Sequence, residues 1–208
     1  MTVAETQQRI LTSDEFVLQE TKKLQVLYTM KRVIRYHQDR REPLDTESVA
    51  EHVYAAQVLA QYFLPLEDSE GELDRLRIFE MLLVHDISEI GTGDIVGWMK
   101  TTADREEEAR QQAAVLATLP NTIQKHYQTL LTEYEERQTK EAKFAKAVEK
   151  MDPFFHLYMP ERKQIMHDLQ STPEKSASIR AQYVAPFPYL NRFYEVIQQR
   201  FIDEGYFV

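Results

Sequence analysis

Two histidines and two kinds of acidic position are the residues of this chain best suited to do chemistry together. They are His52, the adjacent pair His85–Asp86, and an acid at Glu149 or Asp152. Helix-length stretches separate them, so helices can carry all of them to one point. Imidazoles and carboxylates form a mixed N/O donor set that suits Mn, Fe, Co, Ni or Zn better than Ca or Mg. One divalent transition metal with open positions lowers the pKa of water from about 15.7 toward 7. The chemistry implied is hydrolysis. The plain alternative gives Asp86 a capping role at a helix end, where backbone groups lack partners. The run Met81-Leu82-Leu83-Val84 leads into the pair, and a buried carboxylate is costly unless paired or metal-bound. Spacing alone leaves both readings open.

The elements that must position these residues are helical. The chain has 208 residues with 43% hydrophobic and 28% charged residues, which fits one soluble globular domain over 1–208. Only 5 glycines and no strand-like alternation predict an all-α fold. Residues 1–12 read as a loose or partly helical arm. Ser13-Asp14 starts a helix that apolar spacing carries to Tyr36, and a polar loop follows. Ser48 and Glu51 have capping-box form, which puts His52 in the first turn of a helix ending near Phe63. Further helices are expected over 72–85, 104–119, 120–138 and 139–158, with Pro153 kinking the last. In the tail, 161–170, 173–183 and 191–201 read as helical.

Composition excludes several functions. A net charge of −9 makes a nucleic-acid polymer an unfavourable partner, though not a small phosphate ester. With no cysteine there is no disulfide, thiolate zinc site or cysteine nucleophile, which fits a cytoplasmic setting. The first residues lack the basic and apolar regions of a signal peptide, no apolar run approaches the roughly 20 residues of a membrane span, and no glycine-rich phosphate loop is present.

The pattern His52…His85-Asp86…acid resembles the H…HD…D signature of the HD-domain phosphohydrolase superfamily. Longer strings resemble its 5′-deoxynucleotidase-like branch: Glu47-Ser48-Val49-Ala50-Glu51-His52, then His85-Asp86-Ile87-Ser88-Glu89 with Thr92-Gly93-Asp94, then Tyr134-Glu135-Glu136 leading into Glu141-Ala142-Lys143-Phe144-Ala145-Lys146. The resemblance covers residues 24–160; 161–208 is a C-terminal helical extension without a motif. It implies an HD-domain helical bundle, a homodimer, one divalent metal and a small nucleotide substrate, a deoxyribonucleoside 5′-monophosphate. It makes His52, His85 and Asp86 metal ligands and Glu89 the catalytic carboxylate at the attacking water. It places Asp94 near the sugar and the scissile ester, and Arg35 on the phosphate. Tyr36 falls where the family often has an aromatic, usually Trp. Phosphoryl transfer needs such groups, a positioned nucleophile and cations on the phosphoryl oxygens.

The fourth ligand departs from the pattern. The family string resembles A-K-F-A-K-A-L-D, whereas this chain has Ala142-Lys143-Phe144-Ala145-Lys146-Ala147-Val148-Glu149. Either Glu149 ligates, or Asp152 does after a local change of register such as a π-bulge. His37, His126, His156 and His167 match no motif position. Trp98 is a candidate cover for a base or a core residue. Asp104-Arg105-Glu106-Glu107-Glu108 reads as the acidic first turn of a helix rather than a second metal site, and Arg40-Arg41 as solvated loop charge.

Overall fold

The computed structural model of the protein describes residues 1–36 and 47–208. The expectations placed on His37, Arg40 and Arg41 lie outside the described residues. The N-terminal arm is a full helix, α1 (Val3–Thr12), because Thr2 and Glu5 form a capping box. Ser13 caps α2 (Asp14–Gln25) through the Phe16 N–H. The expected continuation to Tyr36 is not found. A 3-10 turn, Leu27–Arg32, follows instead. Beyond it β-branched Val33 and Ile34 run extended beside the start of the next helix. Arg35 N–H donates to the Glu47 carbonyl at 2.9 Å and Val49 N–H to the Val33 carbonyl at 3.0 Å. That pairing fixes Arg35 and Tyr36 beside His52.

Ser48 and Glu51 form the expected capping box for α3 (Val49–Glu67), which runs past Pro65. Asp74 caps α4 (Arg75–Val84). A short helix, α5 (Glu89–Thr92), ends at Gly93, whose φ of 73° is a conformation that favours glycine. Then come α6 (Thr102–Thr118), α7 (Asn121–Glu136) and α8 (Lys140–Leu157). Pro153 lies inside α8 without ending it. The tail forms α9 (Lys163–Asp168), α10 (Pro173–Ser178), α11 (Ala181–Val184) and α12 (Pro188–Asp203).

Helix α8 is the axis of the bundle. Its buried residues include Phe144, Val148, Met151 and Phe154, with Ala142, Ala145 and Ala147 between them. A helix apolar on most sides belongs inside a core, and the alanines let neighbours approach. It packs against α3, α4, α7, α11 and α12. One hydrophobic cluster joins Phe63, Ile78, Leu82, Leu130 and Phe144 to Leu190 and Phe201 of the tail helix. The whole is all-α, with no strand among the described residues.

Candidate metal centre and active-site cleft

Three helices deliver the metal-ligand candidates. His52 comes from the first turn of α3, His85–Asp86 from the end of α4, and Asp152 from α8. His52 is completely buried and His85 nearly so. His85 Nδ1 lies 2.9 Å from the Leu82 carbonyl. A carbonyl only accepts, so Nδ1 holds the proton and Nε2 carries the lone pair. His52 Nδ1 lies 2.6 Å from Asp152 Oδ2, which assigns its proton in the same way.

The two Nε2 atoms, both acceptors, then face each other at 3.2 Å. Asp86 Oδ2 stands 3.1 Å from His85 Nε2 and 3.5 Å from His52 Nε2. Three acceptors this close repel one another unless a cation sits among them. Ligand bonds of about 2.0–2.2 Å at tetrahedral or octahedral angles place donor atoms about 3.0–3.5 Å apart. The cluster therefore fits one divalent transition metal, with positions left open. Without the metal, a proton answers the same crowding. Burial and Arg35 act to lower the His52 imidazole, but the Asp152 and Asp86 carboxylates outweigh them and raise it. Burial also works against charge on Asp86, yet His85 and His52 hold that carboxylate below its ordinary range.

The two candidates for the fourth ligand lie in different places. Asp152 occupies the far nitrogen of His52 and so faces away from the three clustered atoms. Glu149 is buried among donors. Tyr134 Oη donates to Oε2 at 3.2 Å, Lys150 Nζ to Oε1 at 3.0 Å, and Lys146 Nζ pairs with Oε2 at 3.3 Å. Burial opposes its charge, but the lysines hold it well below the usual glutamate range.

A buried ring of charge surrounds Arg35. Its Nη1 donates to Glu47 Oε2 at 2.6 Å and lies 3.5 Å from Asp152 Oδ2, while Nε stands 3.6 Å from Asp94 Oδ1 and has no hydrogen-bond partner. Tyr36 takes a positive φ of 64°, a conformation that costs a non-glycine residue about 1–3 kcal/mol. Its N–H donates to Asp94 Oδ2 at 2.8 Å, and its ring stacks on His156 with centroids 5.6 Å apart. His156 is thus a packing partner, pushed down to about 4 by burial and Arg162.

Glu89 opens α5. Its carboxyl is buried and Oε2 has no hydrogen-bond partner. Burial, then the nearby Asp86 and Asp94, raise it well above the ordinary glutamate value. Arg35, Tyr36, His85, Asp86, Glu89 and Asp94 all line one cleft, which continues past half-buried Trp98. Asp104 caps α6 with Thr101, and Glu108 pairs with Lys100 at 2.5 Å. Close ligand groups among the described residues are His52–His85–Asp86 and Glu47–His52–Asp152, neither in that acidic segment.

Sequence reasoning missed three features of the site. Glu47 appeared only as one letter of a string, since a glutamate before an N-cap carries no spacing signal. Lys146 appeared only inside a string and Lys150 not at all, although they stand one turn apart on α8 and both pair with Glu149. Arg180 had no signal at all, because it reaches the cleft only through the folding of the tail.

A sequence model of the HD domain family matches residues 27–186. Over 133 residues the chain is 33% identical to a protein of Bos taurus named 5′-deoxynucleotidase HDDC2, covering 62% of each. The Homo sapiens protein of that name is 32% identical over 133 residues, again 62% of each. The matched part thus spans less than two thirds of the length of these curated relatives. A crystal structure described as a predicted metal-dependent phosphohydrolase from Magnetospirillum magnetotacticum superposes with a TM-score of 0.75 at 24% identity, covering 92% of this chain and 98% of that one. An HD-domain phosphohydrolase from Listeria innocua gives 0.56 at 23% identity, covering 87% and 84%. At these identities the likeness is one of fold.

Proposed function

The chain belongs to the HD domain family, and from that premise we propose that it is a metal-dependent phosphohydrolase releasing phosphate from (deoxy)ribonucleoside 5′-monophosphates. The observation that carries this is the convergence of three acceptor atoms beside an unpartnered, buried carboxyl. His52, His85 and Asp86 would hold the metal, and Asp152 keeps His52 in the right tautomer. A divalent ion bound there supplies Lewis acidity toward the phosphoryl oxygens and water. Glu89 moves the proton at Oε2; a raised carboxyl is suited to giving and taking one near neutral pH. Arg35 is the arginine that meets the phosphate, its cation neutralising the equatorial oxygens. Asp94, which accepts from the Tyr36 N–H, positions the sugar. Glu149 is the counter-charge of Lys146 and Lys150. The names borne by the mammalian relatives support the monophosphate as substrate.

A scaffold without turnover has no use for Glu89 Oε2 buried and unbonded, which costs about 1–3 kcal/mol. The test is phosphate release from nucleoside mono-, di- and triphosphates by metal-stripped protein given Mn, Co or Zn. Release from monophosphates alone is expected. Release only from polyphosphates would move the assignment to another nucleotide, and no release with any metal would remove the enzyme reading.

The reading includes a homodimer. Tyr54, Val58, Tyr62 and Leu66 stand exposed at four-residue steps on α3, an apolar stripe of the kind that marks an interface. Val58→Glu is expected to halve the mass seen by light scattering, and a monomeric wild type would refute the dimer. No helix is long and apolar enough to cross a membrane among the described residues.

A further inference from the structure

Arg35 and Arg180 both line the cleft, and the charges around them differ in sign. Arg35 is one cation facing three carboxylates, Glu47, Asp94 and Asp152. Where the tail meets α8 the count reverses. Lys146 and Lys150 both pair with Glu149, and Arg180 lines the cleft beside them. One carboxylate cannot balance three cations. This basic wall adjoins the metal centre, because Tyr134, which donates to Glu149, has its ring centroid 5.5 Å from that of His85.

Arg180 is 5% exposed. Nε donates to the Lys150 carbonyl at 3.0 Å, and Nη1 reaches the Ser176 carbonyl at 3.4 Å and Ser176 Oγ at 3.2 Å. Its guanidinium also covers the Phe154 ring, 4.6 Å from the centroid. These acceptors are neutral, and among the described residues Arg180 forms no ion pair with a carboxylate. Nη2 has no protein acceptor there and is not sealed from solvent.

A purely structural role explains the bonds of Nε and Nη1, which tie the turn after α10 to α8. It does not explain the charge. Neutral donors would make the same bonds, whereas a cation taken out of water without a counter-ion is costly. Burial pushes the Arg180 guanidinium down to about 10, and Glu149 acts the other way without making up the loss.

We propose that Arg180 is a second phosphate-binding residue, its Nη2 donating to a phosphoryl oxygen of the monophosphate while Lys146 and Lys150 add their field. The inference rests on the nucleotidase reading. Charge decides for the phosphate over the base. A phosphate monoester carries close to two negative charges at neutral pH, and the three carboxylates around Arg35 repel it. It therefore needs a cation that no carboxylate has already matched, and Arg180 is that cation. A neutral base gains little from the excess charge. The planar guanidinium also suits phosphate oxygens.

The test is calorimetry on full-length, metal-stripped protein, which isolates the protein's own cations and needs no turnover. 2′-Deoxyadenosine 5′-monophosphate is compared with 2′-deoxyadenosine. The wild type is expected to prefer the monophosphate. Arg180→Met is expected to cut that preference roughly ten-fold or more, as for a lost hydrogen bond to a charged group. Arg180→Gln, which keeps donors for the anchoring bonds, is expected to do the same and serves if the methionine variant unfolds. Ser176→Ala loosens the Nη1 anchor but spares the charge, so its preference should stay that of the wild type. Melting temperatures show which variants fold. A folded Arg180 variant with the wild-type preference would overturn the proposal, even if both ligands bind it more weakly. So would a wild type that binds both ligands alike, or a Ser176→Ala variant that loses the preference as Arg180→Met does. Phosphate release by the metal-loaded enzyme without an Arg180-dependent preference would sink this inference alone. The preference without phosphate release would sink the hydrolase and leave the anion site.

Discussion

The two ends of the cleft use buried polar groups in opposite ways. At the His52 end, the outward-facing nitrogens are satisfied, one by Asp152 and one by the Leu82 carbonyl, and the unsatisfied atoms are lone pairs that converge. At the Arg180 end, the satisfied atoms are guanidinium donors tied to the fold, and Nη2 is a further donor without a protein acceptor. The first arrangement asks for a cation and the second for an acceptor. Orphaned atoms thus reveal the sign of the missing partner as well as the existence of a site.

Breaking the first end is expected to give the largest effect. His85→Ala removes one of three converging acceptors, and turnover should fall roughly a thousand-fold or more together with bound metal. Metal analysis and steady-state kinetics on one preparation check both. Retained metal with full activity would show that the cluster is not the centre. Glu89→Gln should lower kcat by about a hundred- to ten-thousand-fold, the usual contribution of a proton-moving group, with metal content unchanged. Its stability should move the other way. The wild-type carboxyl is raised in the fold, so metal-free protein loses stability as pH climbs from the ordinary value of 4.5 through the raised one. Glutamine escapes that loss. The stripped variant should therefore melt higher than wild type at pH 7, by about 2–4 °C per kcal/mol, and the same below pH 4.5.

Legibility in the sequence divides along the same line. The capping box at Ser48 and Glu51 located His52 because its signal is local. The pair His85–Asp86 was visible because the two residues are adjacent. The run from Val26 to Tyr36 was misread as helix: its apolar spacing fits a helix, and nothing local shows that Val33 and Arg35 bond across to Val49 and Glu47. Glu149 and Asp152 share a helix face at the level of sequence. Only the fold shows one beside Lys146 and Lys150 and the other behind His52. Arg180 meets Lys150 thirty positions away along the chain, a contact without any periodic trace.

Two smaller substitutions sharpen the contrast between converging and outward groups. Asp152→Asn keeps an acceptor at His52 Nδ1 but removes its charge, so metal affinity should fall about 10–100-fold, the range for an outer partner of a metal-bound histidine. A larger loss in calorimetry would argue for direct ligation by Asp152. Glu149→Gln should change metal affinity less than Asp152→Asn does, and should instead cost about 1–3 kcal/mol in urea unfolding at pH 7, because Lys146 and Lys150 lose their partner. Glu149 is held below its ordinary value, so its contribution is present above pH 4.5 and lost as pH falls through the lowered value. The gap between variant and wild type should close on acidification. A metal affinity that collapses in Glu149→Gln would make Glu149 the fourth ligand.

The most direct test of the account is the titration of Mn, Co or Zn into stripped wild type, His52→Ala and Asp86→Ala by calorimetry. The account predicts one metal per chain in the wild type, with that site abolished or strongly weakened in both variants while they still fold. Wild-type protein that binds no divalent metal, or variants that bind it as tightly as wild type, would contradict it.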